Sequence, residues 1–133
     1  MKLLTRDTDY ALRALCFIAK KKNKRVPVSE LVGCLKIPQP FLRKILQVLN
    51  KKGILRSHKG IGGGFLLARP ASKIFLVDLV SIFQGPLHLN ECFLKKVTCP
   101  NIRTCVLKKK IDRIEQHLIE ELTSITIASL LKG

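Results

Sequence analysis

The stretch Ile37–Arg69 constrains the fold of this chain more than any other part of the sequence. Pro40 suits the first turn of a helix, because proline lacks the amide hydrogen that this turn leaves unpaired. Apolar residues then recur at the spacing of one helical face, and Gly53 stands where a helix would end. The apolar face consists of Leu42, Ile45, Leu46 and Leu49. This pattern predicts an amphipathic helix that begins near Pro40 and ends before Gly53.

Two short segments that favour strands follow this helix and enclose a glycine-rich basic tip. They are Ile54–His58 and Phe65–Ala68, and the six residues between them read KGIGGG. A phosphate-binding loop needs a Gly-Lys-Ser/Thr ending, and a dinucleotide site needs glycines that lead into a helix. Because Phe65-Leu66-Leu67 follows instead, we interpret the segment as a β-hairpin. A helix followed by such a hairpin is typical of a helix-turn-helix with a wing.

Positive charge is concentrated in the half of the chain that contains this stretch. The 133 residues carry a net charge of +16; residues 1–69 hold 16 basic and 3 acidic side chains, and residues 70–133 hold 9 and 6. Such a field attracts polyanions and gains affinity by releasing counterions from phosphates. One tyrosine and no tryptophan leave few platforms for stacking single-stranded bases. Duplex DNA is therefore a better expected partner than RNA.

Two further helices are predicted before this stretch. Thr5 is placed to cap the first helix, in which Asp9 and Arg13 are spaced to form a surface ion pair. Ser29 is placed to cap a second helix that runs to about Leu35.

The second and third helices, joined by Lys36-Ile37-Pro38-Gln39, form the predicted helix-turn-helix. In this motif the N-terminal part of the last helix enters the major groove, where Arg binds guanine and Gln binds adenine. The wing residues are expected to contact the DNA backbone or the minor groove. The candidate DNA-binding residues are Ser29, Gln39, Pro40, Phe41, Arg43, Lys44, Gln47, Ser57, His58, Lys59, Gly60 and Gly62.

The C-terminal part contains a short apolar helix closed by Gly85-Pro86, a loop, a long amphipathic helix, and a short helix from Thr126 to about Leu131. Apolar residues of the long helix repeat at steps of four and three, which suits a partner helix or the core of the same chain. They are Leu107, Ile111, Ile114, Leu118, Leu122 and Ile125.

Three of the five cysteines lie close together in the loop. Cys92, Cys99 and Cys105 are separated by six and five residues. Thiolates clustered in this way bind iron–sulfur clusters or zinc, although the paired C-x2-C units of a zinc finger are missing. Cys16 and Cys34 fall inside predicted helices, where a free cysteine is usually a small core residue.

Several of these motifs together resemble the Rrf-two family of bacterial winged-helix regulators. They are Phe41-Leu42 with Ile45 and Leu49, the run KKGIL, Ser57, Lys59-Gly60, Gly62-Gly63-Gly64-Phe65, Leu67-Ala68-Arg69, and the opening Thr8-Asp9-Tyr10-Ala11-Leu12-Arg13. The resemblance implies a mainly α-helical fold with a small β-wing, a long C-terminal helix that builds a homodimer, and binding to duplex DNA.

The cysteine loop is similar to the cluster loop of the iron–sulfur-sensing members of that family, with one extra residue between the first two cysteines. The resemblance implies an iron–sulfur cluster, 2Fe–2S or 4Fe–4S, on Cys92, Cys99 and Cys105. The iron–sulfur biogenesis branch (IscR) adds a histidine where this chain has Lys108. The nitric-oxide-sensing branch (NsrR) adds a carboxylate from the other subunit, at the position of Asp9. His88 is a rival ligand.

These observations predict three segments: a winged helix-turn-helix domain in residues 1–84, a cysteine-containing cluster loop in 85–105, and a dimerisation helix with a short terminal helix in 106–133. The predicted function is a cytoplasmic DNA-binding transcriptional regulator whose DNA affinity depends on a cluster sensing redox state, nitric oxide or cluster supply. The alternative is the same regulator without a cluster, signalling through zinc, thiol oxidation or a partner protein.

Other classes of protein fit the sequence less well. A thiol oxidoreductase would need a C-x-x-C motif or an activating cysteine–histidine pair, so we expect no enzyme and no small-molecule substrate. No apolar run reaches the roughly 18 residues that a membrane span needs.

Overall fold

The computed structural model describes residues 3–86 and 106–132 and shows a mainly helical chain with one small antiparallel sheet, as predicted. Its elements are α1 (Arg6–Lys20), α2 (Val28–Leu35), α3 (Gln39–Lys51), β1 (Leu55–His58), β2 (Gly64–Leu67), a 3-10 turn (Ala71–Lys73), α4 (Leu76–Gln84), α5 (Val106–Thr123) and α6 (Ile127–Lys132). His88 and the three loop cysteines lie outside the described residues.

The start of α1 follows its sequence signals. Thr5 is the N-cap, and its hydroxyl accepts a hydrogen bond from the amide of Thr8. Asp9 and Arg13 form the predicted pair, with 3.1 Å between Asp9 Oδ2 and Arg13 Nε. The buried side of α1 includes Ala11, Ala14, Leu15 and Ile18.

The start of α2 differs from the prediction. Ser29 lies in the first turn, and the N-cap is Pro27, without a side-chain cap. Val26 exchanges two backbone hydrogen bonds with Phe65, at 3.0 and 2.9 Å, so the chain stays extended up to Pro27 and the helix begins directly after it. Sheet pairing therefore sets this helix start.

The prediction that Cys34 is a core residue was wrong. Cys34 is exposed because α2 is short, lies at the surface, and fully buries only Leu31. Cys16 is partly buried and packs against the core.

The helix α3 has the predicted apolar face. Leu42, Ile45, Leu46 and Leu49 are all at most 3% exposed. Gly53 follows with a φ of +76°, a conformation that glycine adopts without strain. The opposite face is left free for polar side chains.

The wing is a hairpin in which Leu55 pairs with Leu67 and His58 with Gly64. At Gly64 the φ is +147°, and a Cβ atom there would stand 2.5 Å from the Val26 carbonyl oxygen. Glycine at position 64 therefore lets the wing attach to the segment before α2.

The core lies around α1, which packs against α3, α4 and α6. Ile127 of α6 is completely buried in this core, and its amide donates to the Ile74 carbonyl at 3.0 Å. Ser129 N–H donates to the Thr126 hydroxyl at 3.1 Å, which confirms the predicted cap of α6.

Most of the predicted cluster loop, residues 85–105, lies outside the described residues, so the division of the chain into three segments stays a prediction.

The predicted apolar seam of α5 has two different environments. Toward the end of the helix, Leu118 and Leu122 pack with Leu76 and Val80 of α4. Near its beginning, Leu107 and Ile114 are 64% and 56% exposed. Leu118, Leu122 and Ile125 thus serve the core of this chain, whereas Leu107 and Ile114 face solvent.

Every helix in residues 3–86 and 106–132 is too short or too polar to span a membrane.

Candidate nucleic-acid interface

A groove of about 600 Å³ runs between α3 and the wing. Eight of the twelve predicted DNA-binding residues line it, although they come from three separate parts of the chain. They are Ser29, Gln39, Arg43, Gln47, Ser57, His58, Lys59 and Gly60. The pairing of Val26 with Phe65 holds the base of the wing beside the start of α2, which brings these parts together.

On α3, two of these side chains bind each other. With the Gln39 amide oxygen turned toward Arg43, it accepts hydrogen bonds from the guanidinium Nε at 3.2 Å and Nη2 at 3.0 Å. The guanidinium is thereby held on the groove side of the helix. Because these hydrogen bonds already restrict the rotamers of Arg43, its side chain loses less conformational entropy when it binds a base edge.

The wing tip is closed by a tight turn. The Gly63 amide donates to the Gly60 carbonyl at 3.0 Å, and Gly60 and Gly62 have φ values of +90° and +75°. Lys59 is exposed beside this turn. The hairpin thus presents a cation at one edge of the groove.

The other four predicted residues lie outside the lining of the groove. Gly62 is at the wing tip, while Pro40, Phe41 and Lys44 are exposed on the first two turns of α3. The Phe41 ring is 43% exposed and carries the Arg6 guanidinium 4.7 Å from its centroid, a cation–π contact. Packing of α1 on α3 thus adds a cation beside the end of α3 that the motif directs toward DNA.

Two polar side chains of this surface were not among the residues predicted from the sequence. Asn50 lines the groove one turn after Gln47, and the helical spacing of Gln39, Arg43 and Gln47 was the signal that could have identified it. Arg6 had no local signal, because its position beside Phe41 depends on how α1 packs against α3.

Of the predicted metal ligands, only Asp9 is described. Although Arg13 pairs with its Oδ2, the side chain is 40% exposed, so the carboxylate is accessible to another chain. In the described part of the chain, no three His, Cys, Asp or Glu residues are grouped to hold a metal ion. Burial raises the pKa of the Cys16 thiol, and nearby Lys20 partly offsets this increase.

The sequence profile of Rrf2 (the Rrf-two family), described as an iron-dependent transcriptional regulator, matches residues 4–133. The chain belongs to the Rrf2 family. This Rrf2 protein is therefore a transcriptional regulator of the DNA-binding class, as its sequence predicted.

Two relatives cover almost the whole Rrf2 chain. It is 33% identical over 131 residues to protein aau3 of Rhizobium meliloti (strain 1021), covering 98% of this chain and 85% of that protein. It is 32% identical over 132 residues to the HTH-type transcriptional regulator NsrR of Oceanobacillus iheyensis, covering 98% and 90%.

Two solved structures have the same fold. CymR (YrzC), the global cysteine regulator of B. subtilis, aligns with a TM-score of 0.82 at 21% identity and covers 99% of this chain and 98% of its own. IscR of T. potens aligns with a TM-score of 0.77 at 24% identity and covers 99% and 87%. These likenesses confirm the winged-helix fold.

Proposed function

We propose that this Rrf2 protein is a homodimer that binds specific operator sequences in duplex DNA and changes its affinity with the state of an iron–sulfur cluster. The observation that carries the DNA proposal is the groove between α3 and the wing, in which Arg43, Gln47 and Lys59 converge. Duplex DNA as the partner implies a cytoplasmic location.

Each side of this groove has a separate role in the proposal. The side chains of Arg43 and Gln47 point from one helical face and have the donors that read guanine and adenine in the major groove. Lys59 and Ser57 on the wing bind phosphates, which position the protein on the duplex without reading sequence. The exposed α3 residues Pro40, Phe41 and Lys44 extend the same surface toward the backbone.

The dimer proposal is supported by the exposed half of α5. Val106, Leu107 and Ile114 are between 56% and 64% exposed on a helix whose last turns are already packed on α4. A second copy of α5 is the partner that the seam spacing suits, and a two-fold dimer provides two α3 helices for two half-sites.

The cluster proposal is supported by the iron-dependent description of the family and by the 32% identity to an NsrR protein. Cys92, Cys99 and Cys105 supply thiolates, and the accessible carboxylate of Asp9 fits the role of an oxygen ligand to the other subunit's cluster. When bound, the cluster supplies an iron that reacts with nitric oxide or oxygen. Asp9 belongs to α1, which packs directly on α3. Binding of the Asp9 carboxylate would therefore couple the state of the cluster to the position of α3.

The experiment is anaerobic purification of the full chain, followed by iron and sulfide analysis, visible absorption and binding to an operator selected from a random duplex library. We expect a coloured protein whose operator affinity changes after nitric oxide is added. A Cys99→Ser variant is expected to lose the cluster, and Cys34→Ser, which alters an exposed thiol on α2, is the matched control. Identical operator affinity in every cluster state would refute sensing and leave DNA binding standing.

The same experiment tests the alternative function. A colourless protein that still selects an operator would be a regulator without a cluster. Its signal would then come from zinc, from thiol oxidation, for which Cys34 offers an exposed sulfur, or from a partner protein.

A further inference from the structure

The apex of the wing carries an apolar side chain that none of the contacts above uses. Ile61 is fully exposed at 107% of its reference area, whereas the other exposed large hydrophobic residues in the described ranges lie between 40% and 64%. A single exposed apolar residue is common on protein surfaces. The position and the support of Ile61 are what make it unusual.

The backbone holds Ile61 in place from both sides. Gly60 and Gly62 have positive φ values, and the hydrogen bond from Gly63 to Gly60 closes the turn around it. A Cβ atom at Gly63 would stand 2.3 Å from the His58 carbonyl oxygen, so the two strands meet closely just below the apex. Isoleucine is also β-branched and has few rotamers, so fixing its side chain costs little entropy. The tip is a preformed apolar projection.

The charge of the wing and of the groove indicates the partner of Ile61. Arg56 and Lys59 lie on the wing and Arg43 lines the groove, and these cations disfavour an apolar protein surface and favour a polyanion. The minor groove of duplex DNA is about 6 Å wide, admits a narrow hairpin tip, and accepts apolar side chains from many proteins.

We propose that Ile61 inserts into the minor groove beside the α3 site and selects A·T pairs there. Guanine places a 2-amino donor on the floor of that groove, and an aliphatic side chain cannot accept a hydrogen bond from it. Covering this donor costs free energy, whereas A·T pairs have no donor there. Ile61 thus adds sequence preference on the wing side, where Lys59 supplies only phosphate binding. The inference rests on the proposed DNA function.

The test uses the full-length protein and an operator duplex selected by the wild-type chain from a random library. Ile61→Ala should bind this duplex about tenfold more weakly, as expected for losing part of a buried aliphatic side chain. The slope of log K against log salt should stay unchanged, whereas Lys59→Ala should lower it by about one ion. Ile61→Val should retain most of the affinity. Leu130→Ala, which trims another exposed side chain on α6, should bind as wild type.

Base modification tests the groove itself. Replacing adenine by 2,6-diaminopurine beneath the wing adds the minor-groove amino group and leaves the major groove unchanged. Wild type should lose about tenfold in affinity on this duplex, and Ile61→Ala should lose far less, because the contact is already absent. The inference is overturned if Ile61→Ala binds as wild type or if both proteins lose equally. Failure of wild type to prefer its selected duplex over a shuffled one would instead overturn the proposed DNA function.

Discussion

The Thr8 hydroxyl donates a 2.6 Å hydrogen bond to Gln84 Oε1 and so joins the first turn of α1 to the last residue of α4. The same oxygen accepts the Thr5 amide at 3.0 Å, and the Gln84 amide nitrogen donates to the Leu3 carbonyl at 3.0 Å. Thr8 is completely buried. Gln84 therefore fixes the N-terminal end of α1. In the sequence, Gln84 stands immediately before the segment that carries the three cysteines.

Replacing Gln84 by Leu should lower the free energy of unfolding by about 1–3 kcal/mol, because the Thr5 amide and the Thr8 hydroxyl lose their shared acceptor. Chemical denaturation of the full chain measures this change. Gln116→Leu is the matched control, since within the described residues that exposed amide makes a single contact, a 3.4 Å hydrogen bond to Glu120. Equal stabilities of the two variants would show that the Gln84 hydrogen bonds contribute no net stability.

Two glycines with opposite surroundings test the attachment of the wing. Gly64→Ala should destabilise the protein by more than about 1 kcal/mol and weaken DNA binding, because its Cβ would meet backbone atoms of Val26 at 2.5 Å. Gly33→Ala has open space and lies within α2, so it should stabilise the protein by about 0.5–1 kcal/mol. Thermal melts and operator binding measure both effects. A stable Gly64→Ala variant with full affinity would contradict the described attachment.

Two substitutions separate base contacts from phosphate contacts. Arg43→Ala should cost about 1–3 kcal/mol at the preferred base and change the sequence selected from a random library. Lys59→Ala should weaken binding to all duplexes alike and lower the salt slope by about one ion. Salt titrations on selected and shuffled duplexes provide both measurements. If the two variants behave alike, the division of roles between α3 and the wing is wrong.

The elements of the fold followed from local patterns, and the contacts between distant elements did not. The apolar stripe of α3, the Thr5 and Thr126 caps and the glycine-rich hairpin each depend on residues a few positions apart. Ser29 lost its expected capping role because Val26 pairs with Phe65, about forty residues later. The Gln84 hydrogen bonds and the Arg6–Phe41 contact likewise depend on helix packing that no short pattern encodes.

In the candidate site too, the parts that local sequence patterns define were predicted. The third helix and the wing were predicted because periodicity and glycines define them, and eight of the predicted residues meet in one groove. Cys92, Cys99 and Cys105 lie outside the described residues, and their proposed ligand roles follow from the family resemblance.

The exposed part of α5 gives a prediction for assembly. Ile114→Asp should convert the proposed dimer to monomers at micromolar concentration, because a carboxylate in an apolar helix–helix seam is desolvated without a partner. Gln116→Asp adds the same charge on the opposite side of α5 and should remain dimeric. Sedimentation velocity distinguishes the two states. A dimeric Ile114→Asp protein would place the subunit interface elsewhere.

The most direct test is a competition between the selected operator and a shuffled duplex of the same length and composition, with the anaerobically purified full-length protein at several salt concentrations. We expect the protein to prefer the operator by at least about a thousandfold at physiological salt, and we expect Arg43→Ala to remove most of this preference. Equal affinity for the two duplexes at every salt concentration and metal loading would contradict the claim that the α3–wing groove reads DNA sequence.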